Sequence, residues 1–351
     1  MLNLNENKLK KEIKNISNNH NIKVLFRSEN NNVWSKTVCS SELEDVFYTN
    51  EFLNYQISYK RSFKKKAYDF SFIVLVDNFP EAVFPIFVYE DKITKIGYFT
   101  ENLIPPLFQK DTNNKTKNNI YNFLFDLISK IKKEIKFDNV SFLEFSPEDK
   151  ILSSFRKFLS NKKYLQLDSP DLYLNLQTKI NTIQKNIRKS YFNLIKKGTN
   201  FELIIFDPAK FDKIFWKDFQ LLHLREAKRK TRSDQSWDIQ YDNLIKNKSI
   251  FIFALENNEV IAGSYFDISK DYASYSVGVY NLQAKKNNLS RHMQYKAILE
   301  FKKREIKWYY LGKFYDEKMG GNITKKDISI SFFKKGFASD LIKNNQFKII
   351  I

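Results

Sequence analysis

The sequence predicts an α+β chain, mixed α/β in detail, of two tandem domains at residues 1–168 and 169–351, each a mixed sheet flanked by helices. Three observations carry this. A chain of 351 residues exceeds the span of about 250–300 residues at which single cores stop growing. With 42% hydrophobic and 16% aromatic residues it has material for packed cores, which excludes wholesale disorder. One order of elements also occurs twice, and independent segments seldom match in order and spacing.

The first copy opens at residues 71–88, SFIVLVDNFPEAVFPIFV, two apolar runs around a turn at Asp77-Asn78. A strand at 95–100 follows. Next comes a helix at 119–136, with Phe123, Leu124, Leu127, Ile128, Ile131 and Ile135 on one face, and then a strand at 140–145. The second copy opens at 249–266, SIFIFALENNEVIAGSYF, around Asn257-Asn258. It continues with a strand at 273–280, a helix at 290–306 carrying Met293, Ala297, Ile298 and Phe301, and a strand at 308–311. Pro170 forces an extended conformation on its predecessor and marks the boundary at 168–170. The polar stretch 109–119 and the basic stretch 228–237, KRKTRSDQSW, read as irregular.

Fifty-nine Lys and Arg against 40 Asp and Glu give a net charge of +19, which draws phosphates, nucleic acid or anionic membrane to the surface. Part of that surplus belongs to a composition rich in Lys, Asn and Ile. The single cysteine, Cys39, excludes an internal disulfide, and no clustered Cys/His spacing suggests a metal, so a reducing compartment is expected. Residues 1–14 carry four lysines but no apolar run of a signal peptide, and no stretch approaches the ~18 apolar residues of a membrane span. A soluble, cytoplasmic protein is expected. There is no GxSxG, P-loop, HExxH or GxGxxG, and Gly320-Gly321 reads as a turn. The run 60–66, KRSFKKK, reads as solvated surface.

A helix is predicted over 180–197, with Ile180, Ile183, Ile187, Leu194 and Ile195 on one side and a polar face that is wholly basic. Residues 184–198 hold five positive side chains and no acid. Lys185, Arg188 and Lys189 are therefore candidates to grip a diphosphate or a tRNA backbone, the alternative being a solvated basic face. Arg225 and Arg232, in a predicted helix end and its loop, form a second candidate cluster, although cations there also complement the helix dipole. His223 and His292 are candidate general bases, as are Tyr275, Tyr280, Tyr315 and Asp316; nothing in the sequence chooses among them.

The repeated strand–strand–strand–helix–strand unit resembles the fold of the Gcn5-related N-acetyltransferases. Two such units in one chain resemble the FemAB family of peptidoglycan aminoacyltransferases and their relatives in surface-polysaccharide loci. In the second half, the segment IQKNIRKSYFNLIKKG (183–198), the helix 211–225 ending in LLHLR, the YYLG at 309–312 and the tail SFFKKGF (331–337) carry the resemblance. It implies transfer of an acyl or aminoacyl group from an activated donor, acyl-coenzyme A or aminoacyl-tRNA, to an amine on a nucleotide- or lipid-linked sugar or a cell-wall precursor. It implies no metal; the phosphate-bearing acceptor, tRNA and a peripheral membrane surface are the partners. Tyr275, Asp316 and His223 are the catalytic candidates, Lys185, Arg188, Lys189, Arg225 and Arg232 the substrate-binding ones. The helix opening with Ser290 as N-cap, together with Arg291, is the candidate donor site. Asn287 and Asn288 stand where coenzyme A enzymes of this fold carry a glycine-rich loop, so weak binding of acetyl-coenzyme A is expected. The rival reading is a non-catalytic RNA- or membrane-surface-binding protein using the same scaffold.

Overall fold

The computed structural model describes residues 5–63, 66–90, 94–98, 102–135, 140–145, 153–160, 162, 164–319 and 323–349. The Gly320-Gly321 turn, Lys64 and Lys65 of the basic run, Phe99 and Thr100 of the expected strand and Lys136 of the expected helix lie outside these residues. The chain is mixed α+β, and it divides into two compact units, residues 1–168 with 344–351, and residues 169–343.

In the first unit, helices Glu6–Asn19, Asn31–Cys39 and Asn50–Phe63 precede most of the strands. Leu9, Ile13 and Ile16 recur at helical spacing and bury against the core, and Asn5 caps the helix by accepting from Lys8 N at 3.0 Å. Strand Lys23–Phe26 pairs antiparallel with Phe72–Val76, which returns as Phe79–Phe84. Asp77 and Asn78 between them both have positive φ, 51° and 65°, the mirror-image turn whose twist matches a hairpin. The expected second strand, running to residue 88, is interrupted because Pro85 has no N–H for the ladder. Pairing resumes as Phe87–Glu90 in a separate sheet with Lys66–Asp69 and Thr94–Gly97. Two bonds fill the gap, Phe70 N to Ile86 O at 3.0 Å and Ile86 N to Ser71 Oγ at 3.1 Å.

Helix Asn114–Ile135 starts five residues earlier than 119, because Asn113 Oδ1 accepts from Thr116 N at 2.9 Å and so begins the helix inside the polar stretch. Its six expected apolar residues are all buried. The strand after it, Val140–Leu143, runs parallel to Leu103 and antiparallel to residues 346–349 of the last strand, Asp340–Ile349.

In the second unit the strand order is Ile204–Ile205, Ser249–Glu256, Glu259–Ile268, Tyr272–Tyr280, Trp308–Lys313 and then residues 171–175 of strand Tyr164–Asn175. Strand Ser249–Glu256 is apolar almost throughout because both its faces are covered. Ile250, Ile252 and Ala254 join a core with helices Lys189–Gly198 and Leu289–Lys303, whereas Phe251 and Phe253 join one with Lys213–Ala227 and Asp234–Ile245. Burying a side chain such as Phe219 or Phe251 contributes on the order of 2–3 kcal/mol.

Three local expectations change. The helix predicted over 180–197 is two helices, Ile180–Asn186 and Lys189–Gly198; Ile187 and Arg188 are extended between them, and Arg188 N bonds to Gly336 O at 2.8 Å instead of continuing the helix. The stretch 228–237 is irregular only to 233, where Ser233 accepts from Ser236 N and caps Asp234–Ile245. Ser290 is not an N-cap. A short helix, Leu282–Lys286, occupies the expected loop, and the next begins at Leu289 after Asn288, whose φ of 58° is left-handed and suits asparagine.

Candidate functional site

The strand Tyr272–Tyr280 runs parallel to Trp308–Lys313 only through Tyr272, Ala273 and Ser274. Beyond Ser274 that edge has no strand partner among the described residues, and a cleft of about 470 Å³ opens there. One wall is the end of helix Lys213–Ala227, with His223 and Glu226. The other is Lys285, Ser290 and helix Lys325–Lys335, with Lys326, Phe333 and Lys334, while the strand itself supplies Tyr275, Ser276, Gly278, Val279 and Tyr280.

A β-bulge shapes the floor. Tyr265 pairs with Val277 and Phe266 with Tyr275, so Ser276 is the extra residue without a partner, and the disturbed alternation lets Tyr275 and Ser276 both line the cleft. The Tyr275 side chain folds back along the strand, where a Cβ on Gly278 would overlap its hydroxyl. Its hydroxyl lies 3.4 Å from that of Tyr280, which bonds to Ser264 Oγ at 2.7 Å. Burial raises the pKa of both phenols, well above the ordinary value for Tyr280, so at neutral pH they are hydrogen-bond donors.

Lys334 closes the basic side. Its Nζ stands 5.3 Å from the Tyr275 ring centroid and 2.7 Å from where a Cβ on Gly312 would sit; Gly312 has φ +117°. Burial lowers the Lys334 pKa to about 8, against the attraction of Asp171. It is thus a cation at neutral pH that releases its proton more readily than an ordinary lysine. On the opposite wall, burial and then the charge of Arg232 lower His223 to about 4, so its imidazole is neutral, and its Nδ1 lies 3.5 Å from Thr231 Oγ1. Glu226 reaches Lys285 across the mouth of the cleft in an ion pair. The cleft thus gathers Lys326 and Lys334 with a neutral His223 and with Lys285 already paired to Glu226.

Of the residues the sequence singled out, Tyr275, Tyr280, His223 and Ser290 come together here. Asp316 sits in the segment after Trp308–Lys313 and is not among the cleft-lining residues. Lys185 and Lys189 are exposed on their two helices, and Arg188 is not a free cation. Its guanidinium stacks 4.0 Å from the Phe332 ring centroid and 4.9 Å from that of Tyr191, and donates to Phe332 O and Tyr191 Oη. Arg291 lies over Tyr191 and Phe333 and donates to Asn288 Oδ1 at 2.9 Å. Arg232 is buried over Trp237 and donates to Gln240 Oε1 at 3.1 Å. Arg225 lines a separate hollow of about 310 Å³ with Asp218, Leu221, Leu224, Glu259 and Val260. His292 packs against Gly198, and Tyr315 O accepts from Ser331.

Lys334, Lys326, Glu226 and Ser276 were not singled out. The only signal for Lys334 was its place in the SFFKKGF segment, since its neighbours Gly312 and Tyr275 are distant in sequence. Among the described residues no group of three or more His, Cys, Asp or Glu could hold a metal, and no helix is long and apolar enough to cross a membrane.

No protein-family model and no curated protein sequence matches the chain. Among solved structures, FemX matches with a TM-score of 0.68 at 11% identity, over 92% of this chain and 96% of FemX. L-PGS from Bacillus licheniformis matches at 0.51 and 11% identity, over 77% of this chain and 81% of that one. A DUF2156 domain from Agrobacterium fabrum matches at 0.53 and 7% identity, over 97% and 92% of the two chains. At such identities the likeness is one of fold, and the FemAB resemblance read from the sequence is borne out at that level: the chain has the fold of FemX.

Proposed function

We propose that the second unit transfers an acyl or aminoacyl group from an activated donor to an amine. The observation that carries this reading is the cleft beside strand Tyr272–Tyr280 beyond Ser274, where a bulge, two phenol donors and Lys334 converge on a space large enough for a small ligand's reacting end. Acyl transfer needs a cation or donor where the carbonyl oxygen becomes negative and a geometry that aligns amine and carbonyl. Lys334 and the Tyr275 hydroxyl supply the first. Lys285, Lys326 and the Ser290 helix start suit the phosphates of acyl-coenzyme A or the backbone of an aminoacyl-tRNA.

The acceptor we favour is a nucleotide- or lipid-linked sugar or a cell-wall precursor met in the cytoplasm, in keeping with the fold shared with FemX. The two units fit a pair of acyltransferase-like domains, since in each a segment before a long helix runs parallel to the strand after it: Leu103 with Phe142, and Tyr272–Ser274 with Trp308–Tyr310. The full chain would be incubated with acetyl-coenzyme A or a charged tRNA mixture, and with UDP-linked amino sugars and lysine-containing precursor peptides, products being read by mass spectrometry. Transfer from one donor class, abolished by Lys334→Met, is expected; no product from any pairing overturns the reading.

A further inference from the structure

Ser276 and Asp267 form a pair that the reading above leaves unused. Asp267, on strand Glu259–Ile268, is 3% exposed, and its Oδ2 accepts the Ser276 hydroxyl. Ser276 is the bulge residue, and it lines the cleft with His223 and Glu226. The charged and titratable groups that act on this carboxylate or on the wall beside it are Arg232 from the 228–233 connection, Tyr265 from its own strand and His223 from helix Lys213–Ala227. Burial raises Asp267 to about 6, with Ser276, Tyr265 and Arg232 pulling the other way, so it is ionised at neutral pH yet a stronger base than an ordinary carboxylate. Arg232 also helps keep His223 neutral. Ser276 thus presents to the cleft a hydroxyl backed by a buried anion, in a lining that also holds Lys285, Lys326 and Lys334.

We propose that the acceptor's ammonium group docks on Ser276 and that Ser276, backed by Asp267, takes its proton, which makes the cleft selective for protonated alkylamines on its His223 side. The inference rests on the acyl-transfer reading. The ammonium passes one proton to Ser276 Oγ while the serine's own proton moves to Asp267 Oδ2. The freed amine then forms the N–C bond, and the carbonyl pair moves to oxygen beside Lys334. The second nitrogen proton goes to the departing oxygen or sulfur of the donor as its bond to carbon breaks and the carbonyl re-forms. Ser276 touches the substrate, and Asp267 acts through it.

The test compares n-butylamine, protonated at neutral pH, with hydroxylamine, which is already unprotonated, using whichever donor supports transfer by the full chain. For Ser276→Ala and for Asp267→Asn, the butylamine-to-hydroxylamine rate ratio is expected to fall by about a hundredfold, the scale of a lost general base. The wild-type rate with butylamine is expected to bend downward below about pH 6 as Asp267 takes up a proton, an inflection missing in Ser276→Ala. An unchanged ratio in Ser276→Ala, whether both rates fall together or neither falls, overturns the proposal. Wild-type transfer to neither amine, from a donor that does support transfer to another acceptor, overturns the proposal and leaves the acyl-transfer reading standing; no transfer from any donor to any acceptor overturns that reading.

Discussion

Replacing Lys334 by Met should make the protein more stable while removing its activity. In the folded chain Lys334 titrates near 8, below the ordinary 10.5, so the folded state holds the proton less well than the unfolded one. At 1.36 kcal/mol per pH unit the difference corresponds to about 3 kcal/mol, and since the side chain keeps some contact with solvent, about 1–3 kcal/mol is the fair expectation. Below pH 8 the whole penalty is present. Between about 8 and 10.5 wild-type stability rises as the folded lysine loses its proton first, so the advantage of the variant should shrink over that window. Met has a helix propensity close to that of Lys, so helix Lys325–Lys335 should persist. Urea unfolding of both proteins from pH 7 to 10 checks this. A variant that is less stable at pH 7, or whose advantage does not shrink with pH, would refute the buried-charge argument; retained acyl transfer would refute the role given to Lys334.

Three further outcomes follow from the same geometry. Gly278→Ala should displace the Tyr275 ring and cut acyl transfer by about tenfold or more, as misplacement in a site does, with circular dichroism unchanged; wild-type rates would show that the Tyr275 position is unimportant. Arg188→Ala should lower stability by about 1–3 kcal/mol in urea, because its stacking on Phe332 and its bond to Phe332 O join two helices; unchanged stability would return Arg188 to the role of a binding cation. The double change Lys185→Ala, Lys189→Ala should leave stability within ~0.5 kcal/mol, since both are exposed, and lower the salt slope of tRNA binding by about 1–2; an identical slope at both salt extremes would leave these lysines as solvated surface.

What could be read from the chain and what could not divides along the range of the interactions involved. The hairpins at Asp77-Asn78 and Asn257-Asn258 and the apolar face of Asn114–Ile135 depend on residues close in sequence, and each was legible. The break at Ile187 and Arg188 was not, because it answers to Gly336, far along the chain; local periodicity favoured an unbroken helix. Leu9, Ile13 and Ile16 had helical spacing, but the many charged residues around them masked it. Within the cleft, Tyr275 and His223 drew attention as titratable types. Ser276 matters through a bulge and Lys334 through its burial, and neither property belongs to a residue type.

The last strand has a consequence for how the chain is made. Residues 346–349 complete the pairing of Val140–Leu143, although everything between them in sequence, save the approach to the boundary, belongs to the other unit. As the polypeptide leaves the ribosome, the first unit waits with that strand open on one side until nearly two hundred further residues have followed, about 10–40 s at common rates of synthesis. During that interval the bare β edge is a template for association with another chain. A gene cut at residue 168 would make the delay permanent, so the first half expressed alone should aggregate unless 344–351 is supplied as a grafted strand.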